Sequence, residues 1–151
     1  MSSEARRHCR KLDIVTVKGS SVPMPIHTYD CLQNQVFPQL RTPKFSSMKL
    51  SDVLRKQAKE YDDRMWDQDP DLIQLRRLAT PEFNTVYSSG LEYYLGGNWE
   101  KARKYFLQAD ALMTESDADG DGPSRTLLSF MEYKQFKCPP EWKGYRDLTR
   151  K

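Results

Sequence analysis

The stretch from Pro81 to Met113, PEFNTVYSSGLEYYLGGNWEKARKYFLQADALM, constrains the fold more than any other. Two runs with apolar residues at helical spacing flank Gly96-Gly97. A glycine here ends the first helix at little cost, because a left-handed closing residue carries no Cβ penalty. Asn98 suits the N-cap of the second helix, and Thr80 before Pro81 suits that of the first. So short a connection makes the two helices antiparallel neighbours. Gly90 and Ala102 are small enough for close approach, Tyr93 and Phe106 fill the groove on either side, and Ala109 continues the pattern.

This alternation of small and large residues, with the turn Gly97-Asn-Trp-Glu-Lys-Ala102, resembles a tetratricopeptide-type unit. Val86 replaces an early large aromatic, Ser89 precedes the Gly, and the closing Pro is missing. One unit is present where a solenoid needs about three. The pair is therefore expected to pack on neighbouring helices of its own chain.

The flanks divide by composition. Residues 12–30, LDIVTVKGSSVPMPIHTYD, hold four β-branched residues in a row, then a Lys18-Gly-Ser-Ser turn and a second extended run. They predict a hairpin. Neither face of its first strand is purely apolar: Leu12, Ile14 and Thr16 oppose Asp13, Val15 and Val17. Pro23 and Pro25 cannot donate ladder bonds, so the return strand is an edge or is irregular at its start. An isolated hairpin is marginal in water and needs a sheet or a helix to complete it. Residues 31–47 read as a linker, Ser46 and Ser47 cap a helix over about 49–65, and Asp69-Pro70 opens a short helix to about 79. The expected fold is mainly α: a short N-terminal hairpin (1–30), a linker (31–47), then a helical tail (48–151) around the pair at 81–113.

The stretch Asp117-Ala-Asp-Gly-Asp-Gly-Pro-Ser-Arg125 imitates a calcium loop, with acids at alternate positions and Gly122 in sixth place. The twelfth position is Leu128, so the bidentate carboxylate is absent, and a frame shifted to Asp119 ends on Phe130. The better reading is an acidic connector followed by a helix over 123–135, with acid near its N-terminus favoured by the helix dipole. After it, Trp142 and Tyr145 in a Pro-rich close are costly to expose together, and either fold back or meet a partner.

Of 151 residues, 24 are basic and 21 acidic, a balance that gives no case for nucleic acid. The one basic cluster, Arg6, Arg7, Arg10 and Lys11, reads as a solvated helix face. Three widely spaced cysteines suggest a reducing compartment, and His8-Cys9 lacks further ligands at zinc spacing. No apolar run reaches membrane-spanning length. The expectation is a soluble, cytoplasmic chain, or one held at the cytosolic face of a membrane through a parent protein or partner.

Residues 9–30, CRKLDIVTVKGSSVPMPIHTYD, resemble the hairpin that closes the catalytic domain of class III nucleotide cyclases. Residues 81–151 resemble the helical tail that follows it in many microbial and protist members. The shared features are Gly97-Asn-Trp99, the helix start Asp121-Gly-Pro-Ser124 and, one residue shorter, Pro139-Pro-Glu-Trp-Lys-Gly144. The resemblance implies a C-terminal regulatory segment in cyclic-nucleotide signalling. Its parent would use Mg or Mn held by two aspartates, with an Asn/Arg pair for the transition state. In the family all of these precede the hairpin, so this chain alone is expected to be no enzyme and to hold no cofactor. Lys18 matches a turn lysine said to reach the triphosphate in some members.

The alternative is a free-standing adaptor or structural subunit in a larger assembly. It would bind a protein through the helical groove and the aromatics Trp99, Trp142 and Tyr145. The excerpt reading expects a loose hairpin, and the adaptor reading expects one packed on its own helices.

Overall fold

The structure is a computed structural model that describes residues 7–31, 51–52, 55, 64–115 and 119–149. It is mainly helical with a small N-terminal sheet. Strands β1 (Arg10–Thr16) and β2 (Met24–Thr28) form the hairpin. Helices α1 (Met65–Gln68), α2 (Pro70–Leu75), α3 (Pro81–Leu95), α4 (Trp99–Glu115) and α5 (Gly122–Tyr133) follow, and β3 (Arg146–Asp147) closes the order.

The helix ends lie where short-range chemistry puts them. The Thr80 hydroxyl accepts the Phe83 amide at 3.1 Å and Asn98 Oδ1 accepts the Lys101 amide at 3.2 Å. Asp69 accepts from Asp71, and Asp121 from Ser124 at 2.9 Å. Each carries a side-chain oxygen that satisfies an otherwise orphaned first-turn amide. Between α3 and α4 the chain turns through Gly97 at φ +82°. Gly90 sits where the two helices touch: a Cβ there would lie 3.0 Å from the Phe106 ring and from Tyr105 Cβ.

The core lies between α3, α4 and α5. Phe83, Tyr87, Tyr94, Trp99, Ala102, Phe106, Ala109, Leu127 and Met131 are all buried. Tyr93 stays half-buried and stacks on Tyr105 at 5.4 Å.

The sheet runs β2-β1-β3. β1 and β2 are antiparallel, with Ile14 opposite Pro25, Val15 opposite Met24 and an irregularity between Lys11 and Asp13. As the prolines require, the return strand is an edge that starts only after Pro23. β3 lies parallel on the other side of β1, with Val15 opposite Arg146 and Thr16 opposite Asp147. The hairpin is therefore completed by the chain's own C-terminal segment and by α3.

Several expectations change. The hairpin is not loose: Val15 is fully buried and Leu12 packs against the helical core. Arg10 does not belong to a solvated helix face, because it opens β1 and turns inward. The short helix ends at Leu75 rather than near 79, since Thr80 must be extended (ψ 159°) to cap α3. Helix α5 stops at Tyr133 and the chain leaves it through Gln135 and Phe136 at φ 55° and 56°. The helix expected over 49–65 and the linker over 31–47 fall almost wholly outside the described residues.

Candidate functional site: the junction of hairpin and tail

Two buried ion pairs join the hairpin to the helical tail. In the first, Arg10 leaves β1 and fans its guanidinium across two carboxylates. Nε and Nη2 donate to Asp30, at 3.0 Å and 2.7 Å at closest. Nη1 and Nη2 donate to the two oxygens of Asp121 at 3.1 Å and 2.9 Å. The guanidinium also lies 4.2 Å from the Tyr87 ring centre and 4.7 Å from that of Phe83. A planar fork of five N–H donors can bond two carboxylates in its plane while its flat face rests on aromatic rings, a geometry that a compact ammonium does not reproduce. Burial pulls the Arg10 pKa down, but both carboxylates more than offset it, and the net shift is upward.

The second pair ties the other end of the tail to β1. Arg146 Nε donates to Asp13 Oδ2 at 2.5 Å, and the Asp13 side chain is 3% exposed. Burial pushes the Asp13 carboxyl up, and Arg146 with the Ile14 amide only partly counters it. An unpaired carboxylate here would be strongly disfavoured. The ladder continues beside it: the Thr16 hydroxyl donates to Asp147 at 3.1 Å and the Leu148 amide to the Thr16 carbonyl at 3.0 Å.

Neutral contacts fill the space between. The Tyr87 hydroxyl donates to the Leu12 carbonyl at 3.1 Å, and burial raises its pKa well above the ordinary tyrosine value. Trp142 folds back, donates Nε1 to the Leu95 carbonyl at 3.1 Å, packs edge-on against Tyr94 and Trp99, and lies tilted against Phe130.

The residues singled out from the sequence separate into two groups. Gly90, Ala102, Phe106 and Ala109 make the α3–α4 contact, with Tyr93 on its outer side. Trp99 is 1% exposed and belongs to the core, so it cannot reach a partner. Tyr145 is half-buried at the edge of a cleft, and Lys18 is exposed at the hairpin tip. Asp121, the third acid of the imitated calcium loop, caps α5 and pairs with Arg10, while Asp117 lies outside the described residues.

Sequence reasoning missed Arg10, Asp30 and Arg146. One signal was available: Asp13 alternates with Val15 on one strand face, and an acid at an inward position calls for a cation. The Mg or Mn implied for a parent cyclase has no fitting donor set here. Among the described residues no three His, Cys, Asp or Glu converge, and the buried acids Asp13 and Asp121 face arginines. Among the same residues no helix is long and apolar enough to cross a membrane. Compared with family models, with curated proteins and with solved structures, the chain finds no match.

Proposed function

We propose that this chain is the non-catalytic C-terminal segment of a class III nucleotide cyclase, a closing hairpin fastened to a regulatory helical tail. What supports the reading is the resemblance, whose segments meet in the fold, although the firm seating of the hairpin replaces the loose hairpin that this reading expects. The resemblance rests on the hairpin, on the helix start Asp121-Gly-Pro-Ser124 and on the close Pro139-Pro-Glu-Trp-Lys-Gly144. Arg10 of the hairpin grips Asp121 of the helix start, and Asp13 grips Arg146, two residues past the close. The parts that resemble the family are thus the parts that hold each other. Lys18 stays exposed at the tip, as a contact with a triphosphate bound elsewhere requires. β2 is an edge strand, where the rest of a parent sheet would adjoin, and Met24 and Ile26 of β2, with Val22 just before it, are exposed. In this reading the tail reaches the catalytic domain through β1, the strand that both ion pairs hold.

The second reading, a free-standing adaptor or structural subunit, is favoured by the order of the hairpin on its own helices. One experiment separates the two. An antibody to residues 98–115 is used to precipitate the native polypeptide, and the precipitate is assayed for cyclic nucleotide formation from ATP or GTP with Mn²⁺ or Mg²⁺. The proposal expects a polypeptide several times 17.7 kDa, activity in the precipitate, and none from the purified 151-residue chain. A native mass of 17.7 kDa without cyclase activity overturns it in favour of the adaptor. Turnover by the purified chain overturns its non-catalytic part.

A further inference from the structure

The helical layer stops short of the hairpin's outer strand. Arg10 reaches Asp121 and Asp13 reaches Arg146, so the face of β1 that carries them looks onto the helical tail. Val15, two residues on from Asp13, lies on that face and is fully buried. Residues directly opposite in an antiparallel pair share a face. Val15 stands opposite Met24, and Asp13 opposite Ile26. Met24 and Ile26 therefore lie on the helical side of the sheet, yet they are 40% and 38% exposed.

One segment of the chain arrives at this place with a matching surface. Trp66 of α1 packs edge-on against Tyr29 at 5.1 Å and stacks on His8 at 5.5 Å, centre to centre. Tyr29 directly follows the last residue of β2, and its hydroxyl donates to the Leu72 carbonyl of α2 at 3.4 Å. The chain that runs into α1 is thus tethered at the C-terminal end of β2. Over 49–65 the sequence sets Leu50, Val53, Leu54, Ala58 and Tyr61 at helical spacing, with Lys56, Lys59 and Asp63 on the opposite side. Within this segment Asp52 and Arg55 are helical and exposed, as positions off the apolar stripe should be. At about 1.5 Å per residue such a helix is about 25 Å long, and the five residues of β2 span about 17 Å. Running back from Trp66, it is long enough to cover the whole strand.

We propose that residues 49–65 dock as a helix on the helical side of β2, with Val53, Leu54 and Ala58 against Met24 and Ile26. Removing these apolar side chains from water drives the docking, and the charged side of the helix stays in solvent. The segment then extends the helical layer across the hairpin's outer strand and leaves the backbone edge of β2 open. The docking holds whether or not the parent is a cyclase.

The test is methyl NOE spectroscopy and amide exchange on the whole chain. NOEs are expected from the Met24 and Ile26 methyls to those of Val53, Leu54 and Ala58. Ile26→Ser and, separately, Leu54→Gln should each speed exchange of the amides over 50–61 at least about tenfold, the order of effect of losing one buried aliphatic side chain. Lys59→Gln, on the charged side, should leave those rates within about twofold, since a surface substitution of similar helix propensity changes little. Ile26 lies outside the core cluster of α3, α4 and α5, so protection over 86–94 should hold in every variant. Absent NOEs, free-peptide exchange over 50–61 in the unmodified chain, or rates that ignore Ile26→Ser and Leu54→Gln overturn the proposal. So do NOEs that arise only between labelled and unlabelled chains in a mixed sample, which would make a second copy the occupant.

Discussion

Replacing Arg10 by Ala should destabilise the protein by about 3–5 kcal/mol, the cost of stranding a buried charge whose partner is removed. Asp121 is 3% exposed and would keep its N-cap role beside no cation, while Asp30 would lose its nearest partner. The Tyr87 and Phe83 rings would lose the guanidinium above them. Arg10→Lys should recover only part of the loss, because three ammonium donors cannot replace the paired bonds that the guanidinium makes to each carboxylate. Asp121→Asn keeps a good capping residue and removes the charge. In that background Arg10→Ala should cost clearly less than it does alone, which a double-mutant cycle by urea unfolding measures. A cost for Arg10→Ala below about 1 kcal/mol would place the pair with ordinary surface ion pairs.

The other large effect belongs to Trp99. Trp99→Ala should cost about 3–5 kcal/mol, as expected when a fully buried aromatic is truncated and the site collapses only partly. The ring is 1% exposed and lies 5.8 Å from Tyr94, 5.7 Å from Phe130 and 5.2 Å from Trp142, centre to centre. Its Nε1 donates to the Tyr94 carbonyl at 3.2 Å. Trp142 rests on that ring, so the loss should spread to the C-terminal segment. Amide protection at Leu148, bonded to Thr16, should fall more than protection inside α5. Trp99→Phe should return most of the packing. A Trp99→Ala variant of unchanged stability would mean that Trp99 faces solvent or a partner.

Local chemistry was legible in the sequence. Thr80, Asn98 and Asp121 announce the helix starts through their own side chains, and Gly90 announces the close contact through its lack of one. Pro23 and Pro25 announce the edge strand because they lack an amide hydrogen. The junction was not legible. Arg10 and Asp121 are 111 residues apart, and Asp13 and Arg146 are 133 apart. Such pairs leave no periodic trace, and an arginine near a chain end resembles any solvated charge until its partners are known. Strand β3 pairs over two residues, too few to show an alternation. Trp99 looked like an interface anchor because its composition and spacing suit both an interface and a core. Only the arrival of Phe130 and Trp142 against it decides between them.

Hairpin and helical tail are expected to open as one cooperative unit. Native-state hydrogen exchange on the unmodified chain tests it most directly, by comparing amides of residues 12–16 with those of 86–94. Elements that open only together exchange with the same free energy, and independent ones do not. The protected amides of β1 are expected to open with the global unfolding of α3 and α4. Exchange of β1 near the rate of a free peptide, while α3 and α4 stay protected, would contradict it.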